Sequence, residues 1–139
     1  MKDVILSACD EHLRARLHKT NSYVGIYAEG KSWLLHRYLL RPEIGMHVDH
    51  INGNRLDNRR ENLRVCTHSQ NHMNKSSCRG RSKYKGAYWW PQKGKWKSSI
   101  KVNGKDKYLG LFLTEEDAAK AYNQAALKHY GEFARLNNV

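Results

Sequence analysis

Apolar and polar positions change their period along the chain. Residues 3–17 place Val4, Ile5, Ala8, Cys9, His12 and Leu13 on roughly one side of a helical wheel, which predicts a short helix. The run YVGIYAEGKSWLLH at 23–36 reads as two short strands about a turn at Glu29-Gly30. HRYLLRPEIG at 36–45 predicts one helical turn ended by Pro42. Residues 46–50 then predict a strand and 51–62 a long polar loop. Leu63–Cys66 predicts a returning strand with Leu63 and Val65 on one face. Thr67-His-Ser-Gln70 has the form of a capping box and predicts the start of a helix.

Beyond SSCRGRSK, residues 76–83, the pattern alters again. That stretch is small, polar and basic, and reads as a linker. YKGAYWW, KWKSSIKV and KYLGLF follow as strands, with turns at Lys93-Gly94 and Asn103-Gly104. In the middle strand Trp96, Ile100 and Val102 share one face, while Lys95, Lys97, Ser99 and Lys101 share the other. Thr114 is placed to cap a helix with acids in its first turn, running to about Tyr130 and stopped by Gly131. Ala118, Ala119, Tyr122, Ala125 and Ala126 give that helix a mostly small apolar face. The expectation is an α+β chain of two domains, 1–75 and 84–139, with 76–83 between them.

Charge narrows the partner. Of 139 residues, 25 are Lys or Arg and 13 Asp or Glu, a net charge of +12. From residue 79 to 107 there are ten basic side chains and a single acid, Asp106. Such an excess points to a polyanion. A membrane fits poorly: no apolar run approaches the roughly 20 residues that span a bilayer, and the N-terminal MKDVILSACDEHLR breaks into charge too soon for a signal peptide. Cys9, Cys66 and Cys78 form no CxxC pair, so the expectation is an intracellular, cytoplasmic protein with reduced thiols.

Candidate chemistry concentrates in VDHINGNRLDNRRENLRVCTHSQN at 48–71. Asn52, Asn54, Asp57 and Asn58 are ordinary turn formers. Turn chemistry does not require Asp49 and His50 ahead of them, or carboxamides at Asn62 and Asn71, which read as exposed positions. A zinc site from Cys66, His68, His72 and Cys78 is a second possibility, with a spacing foreign to common structural sites.

The stretch resembles the HNH nuclease family, the ββα-metal fold, in its His-Asn-Asn form. VDH at 48–50, DN at 57–58, ENLR at 61–64, T-x-x-QN at 67–71 and the preceding HRYL at 36–39 carry the likeness, which spans roughly residues 23–75. The resemblance implies that Asp49 and Asn71 supply oxygens to one divalent ion, Mg²⁺ first and Mn²⁺ second. His50 would be the general base, open to solvent, and Asn62 would hold the loop and orient the imidazole. His36 would contact phosphate or metal-bound water, or cap a turn. The CxxC pairs of many such proteins are missing.

Residues 84–137 resemble the plant Apetala-two/ethylene-response-factor DNA-binding domain through YKG (84–86), GKW (94–96), YLGLF (108–112), TEEDAAKAYNQAALKHYG (114–131) and the closing LN. That family sets three antiparallel strands on a helix and lays the sheet in the major groove. Carried over, the DNA-facing residues are Lys85, Tyr88, Trp90, Lys95, Ser99, Lys101 and Tyr108, with Lys97 on the same face. Tyr88 and Trp90 stand where the plant domains have arginines, and Ser99 where they have an acid, so the plant GC-rich target does not transfer. Trp89 and Trp96 are expected towards the helix.

Together these features predict a metal-dependent DNA endonuclease of homing or phage type in a bacterial or phage-infected cell. It would nick one strand of duplex DNA as a monomer or weak dimer, with no small-molecule substrate. A DNA-binding regulator with an inert nuclease half, and a nuclease acting on RNA, are the competing expectations.

Overall fold

The computed structural model describes residues 3–75 and 82–139. The chain divides into two compact units, Met1–His72 and Met73–Val139. The linker expectation largely concerns residues 76–81, which lie outside the described residues.

In the first unit β1 (Leu17–Lys19), β2 (Val24–Ala28) and β3 (Lys31–Leu34) form an antiparallel sheet in that order. The β2–β3 turn uses Glu29 and Gly30, both at positive φ. Helix α1 (Leu35–Leu40) follows at once and ends on left-handed Arg41, one residue before Pro42. β4 (His47–His50) pairs antiparallel with β5 (Leu63–Cys66), and α2 (His68–Asn74) begins at the expected capping box. There Gln70 Oε1 accepts from Thr67 N at 2.8 Å, and Thr67 Oγ1 accepts from Gln70 N at 3.2 Å. Ile26, Leu35, Val48 and Leu63 share one core with Val4, Leu6 and Leu13 from the N-terminal segment. Val65, expected beside Leu63, is exposed, and Cys66 is buried in its stead.

The N-terminal segment is not an α-helix. Val4 and Leu6 turn inward while Ile5 between them is exposed, a period of two. Its backbone is satisfied across the fold: Ile5 N donates to Leu56 O and Asn58 N to Ile5 O, both at 2.8 Å. Ala8–Arg16 then forms a 3₁₀ helix, and Leu17 onward joins the sheet. The wheel of apolar residues at 3–17 misled because pairing with the 51–62 loop outweighs local helix preference.

In the second unit β6 (Ala87–Trp90), β7 (Lys95–Val102) and β8 (Lys105–Phe112) form an antiparallel sheet covered by α3 (Glu115–Tyr130). Thr114 Oγ1 accepts from Asp117 N at 3.1 Å, the expected cap. Small residues let α3 lie close: Ser98 Oγ donates to Ala118 O at 2.8 Å, with Ala118 and Ala119 fully covered. Gly86 is needed at its position, since it sits at φ 80° and a Cβ there would meet Tyr122 Cδ2 at 1.9 Å. Ser82 and Lys83, expected to end the linker, are instead tied to α3. Ser82 Oγ and Lys83 N both donate to Glu115 Oε1, at 2.6 and 2.9 Å.

Candidate functional site

Three residues of β4 set the chemistry of the first unit. Alternation buries Val48 in the core and turns Asp49 and His47 the other way, while His50 ends the strand at the loop. Across the hairpin Asp49 faces Arg64, whose Nε and Nη2 donate to Asp49 Oδ2 at 3.1 and 2.9 Å. Position 49 therefore carries a buried carboxylate held in place by a guanidinium.

His50 is 5% exposed, a departure from the solvent-open ring expected of the base. Its imidazole lies under Tyr23 and beside His36, at 6.3 and 5.1 Å between ring centres, and Arg55 caps Tyr23 at 4.6 Å. Burial pushes the His50 pKa below the ordinary imidazole value, partly offset by its contact with Asn58 and by the charges of Asp49 and Asp57. The ring is therefore uncharged at neutral pH.

The 51–62 loop is a polar frame, and it fixes the tautomer of that ring. Asn58 Nδ2 donates to Arg55 O at 3.2 Å, which leaves Asn58 Oδ1 facing His50 Nε2 at 3.3 Å. An acceptor there requires the hydrogen on Nε2, so the lone pair is on Nδ1. This contact to the ring comes from Asn58, a residue the sequence offers as an ordinary turn former. Asn62 is buried at 7% rather than exposed. Its side chain braces the loop: Oδ1 accepts from Asn52 N at 3.0 Å, and Nδ2 donates to Asn52 Oδ1 and Asp57 O at 3.0 and 2.8 Å. Asp57 is gripped by Arg59 through two bonds of 2.9 and 2.7 Å, which holds its carboxyl down at a pKa of about 2.

Asn71 lies in the first helical turns of α2, half-buried. The ring of His68, on the same helix, lies 5.1 Å from that of His47 on β4 and 4.5 Å from that of His72. Among the described residues no three His, Cys, Asp or Glu side chains are grouped to hold a metal. Cys78 of the zinc alternative lies outside them. Asn58, Arg64, Tyr23 and the N-terminal strap were missed as parts of this site by the sequence reading. The first two sit inside the quoted DN and ENLR motifs, where strand register would have set Arg64 opposite Asp49.

In the second unit the sheet face away from α3 gathers the expected DNA-facing set. Tyr88 pairs with Lys97 and Trp90 with Lys95 across β6–β7, and Ser99 pairs with Tyr108 across β7–β8. Lys97 Nζ sits 5.7 Å from the Trp90 ring and 6.0 Å from that of Tyr108, within cation–π reach. Tyr88, Tyr108, Lys95 and Lys101 are exposed, and Lys101 Nζ lies 4.0 Å from Asp106. Lys85 differs. Its Nζ donates to Met73 O at 2.5 Å, while its backbone N and O are held by Asn137. Trp89 and Trp96 meet edge-on at 5.4 Å on the other face, although Trp89 stays 38% exposed at the sheet edge.

Comparison with known proteins gives two kinds of relative. Residues 41–73 match the family model of HNH endonucleases. An HNH endonuclease of Acanthamoeba polyphaga mimivirus is 37% identical over 94 residues, covering 68% of this chain and 48% of that protein. The AP2-like ethylene-responsive transcription factor AIL7 of Arabidopsis thaliana is 51% identical over 61 residues, 42% of this chain and 12% of the factor. The rice factor CRL5 is 48% identical over the same length, 10% of its own chain. The chain thus spans about half of the viral relative and about a tenth of the plant ones.

Proposed function

We propose that this chain, an HNH-type segment joined to a segment similar to AP2-like plant factors, is a DNA endonuclease whose first unit carries the phosphodiester chemistry at His50 and whose second unit binds the duplex through its sheet. The observation that carries the reading is the pairing of Asp49 and His50 on one strand, the carboxylate braced by Arg64 and the imidazole presenting a basic Nδ1.

In this reaction a water gives a proton to His50 Nδ1 as its oxygen bonds to phosphorus. The bond from phosphorus to the 3′ oxygen breaks, and that oxygen takes a proton from solvent. Burial keeps the imidazole uncharged and able to accept. Asn58 keeps the Nε2 hydrogen in place, and the Asn52–Asp57–Asn62 frame stops the loop from drifting. Asp49 and Asn71 are hard oxygen donors and fit Mg²⁺ or Mn²⁺, which needs few protein ligands beside water and phosphate. Such an ion, when bound, stabilises negative charge on the phosphoryl group and the departing oxygen.

On the second unit, Lys95, Lys97 and Lys101 would neutralise backbone phosphates, while Tyr88, Trp90 and Tyr108 pack on sugars or thymine methyls. One such site per chain fits a nick in one strand of duplex DNA by a monomer or weak dimer, the chemistry of a homing-type enzyme. The burial of His50 favours one second reading, a DNA-binding regulator with an inert nuclease half. Supercoiled plasmid incubated with Mg²⁺, Mn²⁺ or EDTA separates the two. Metal-dependent relaxation is expected, and its absence with every divalent ion leaves the regulator.

A further inference from the structure

The open face of the sheet in the second unit carries aromatic rings that its core does not use. Tyr88 is 42% and Tyr108 55% exposed, and Trp90 is half-buried. The core lies on the other face, where Ile100 packs with Tyr122 and Ala126. Strand register shows how one of these rings reaches the open side. Lys97 pairs with Leu111 and Ser98 with Gly110, which would set Leu109 opposite Ser99, yet Tyr108 stands there. A bulge between Ser98 and Ser99 makes the shift, with Gly110 at φ 142°. It gives Leu109 to the core and Tyr108 to the open face. A ladder interrupted to present a tyrosine beside other exposed rings points to a contact made by that face.

Lys97, on the strand between them, has its Nζ over the Trp90 and Tyr108 rings, 5.7 and 6.0 Å from their centres. Ring faces turned to that ammonium are closed to a stacked base, which tells against an unpaired strand as the ligand. Among the described strand positions of this face none carries arginine, asparagine or glutamine, the side chains that hold guanine or adenine by two bonds. What aromatic rings distinguish in a major groove is an apolar group. The groove offers one, the methyl on pyrimidine C5.

We propose that Tyr88, Trp90 and Tyr108 are specificity-determining residues that read pyrimidine C5-methyl groups in the major groove of duplex DNA, carried by thymine or by 5-methylcytosine. The inference rests on the DNA-binding part of the reading above and names what that sheet selects. Covering one methyl group changes affinity by about fourfold. The lysines of the face bind all sequences alike through phosphate, so the preference comes from the rings.

Anisotropy binding of the full chain, in EDTA so that no strand is cut, compares hairpin duplexes in matched pairs. One pair is alternating A·T and its counterpart with uracil for thymine, which keeps every hydrogen-bonding group and removes the methyl. The other is alternating G·C with cytosine or with 5-methylcytosine. Thymine as the source predicts a loss of about fourfold or more with uracil, and 5-methylcytosine an equal gain in the second pair. Equal affinity within both pairs overturns the proposal. So does tighter binding of an unpaired thymine strand than of the A·T duplex, which would mean stacking. Tyr108→Ser, at an exposed position, should reduce the methyl preference by about twofold and leave the salt slope unchanged. A full preference in that variant takes the reading away from this face. The matched pairs use the unaltered protein and do not depend on how the variant folds. Absence of binding to every duplex would overturn the DNA-binding reading together with this one. Cutting is not read in this assay, so its failure with every metal, which removes the nuclease chemistry, is a distinguishable outcome.

Discussion

Arg60 grips Asp10 in a two-pronged ion pair, Nε to Oδ2 at 2.8 Å and Nη2 to Oδ1 at 2.9 Å, across 50 residues of sequence. The carboxylate is buried, and Arg60 also reaches Leu39 O at 3.2 Å. Its backbone N donates to Ser7 Oγ at 2.9 Å, so one arginine ties the N-terminal segment to the 51–62 loop and α1.

Removing that guanidinium strands a buried acid. Arg60→Leu should lower the stability of the first unit by about 2–4 kcal/mol, read by urea unfolding. Asp10→Leu, which removes the charge at its source, should cost less. Equal stability in Arg60→Leu and the parent would mean the strap is held by its apolar residues alone.

The base and its orienting amide separate in kinetics. His50→Ala should leave duplex affinity within about twofold and drop cleavage by at least 100-fold, the range of general-base loss. Asn58→Ala, acting through tautomer and ring position, should cost about tenfold. Gel-based nicking rates beside anisotropy binding curves check both. Unimpaired cutting by His50→Ala would remove the imidazole from the mechanism.

Acid should weaken the first unit through His36. Its pKa falls from 6.5 to about 4 on folding, so between those values the unfolded chain binds a proton that the folded one refuses. Stability is then full above pH 6.5 and declines as pH falls towards 4, by up to about 3 kcal/mol. Replacing His36 by Phe should flatten the decline seen by thermal melts at stepped pH. The remaining slope belongs to His50, whose pKa is lowered in the same direction.

The lysine face should announce itself in salt. Replacing Lys95, Lys97 and Lys101 by Ala should reduce the slope of log K against log salt by about 2–3, one phosphate contact per lysine. A smaller change is expected from Lys101 alone, because Asp106 already neutralises part of its charge. An unaltered slope in the triple variant would place the DNA on another surface.

Local patterns carried much of this molecule. The Thr67 capping box, the Glu29-Gly30 turn, the Thr114 cap and the lysine-bearing face of β7 rest on neighbours within a few residues, and each stands where the sequence reading put it. The N-terminal segment did not, because its apolar spacing suits a helix equally well until Leu56 and Asn58 offer their backbone. Asn58 and Arg64 lay inside a recognised motif without a visible role, since the site residues they touch, His50 and Asp49, lie on another element of the fold.

By itself the sequence determined the element order from residue 23 onward, the two folding patterns, the basic face and the adjacent acid and imidazole on β4. Tertiary structure alone decided that His50 is buried, that Asn58 sets its tautomer, and that His36 stands beside it with an unsatisfied nitrogen. The reason is physical. Periodicity and caps depend on contacts within a turn or two, whereas desolvation and ring orientation depend on which distant side chains close around the group.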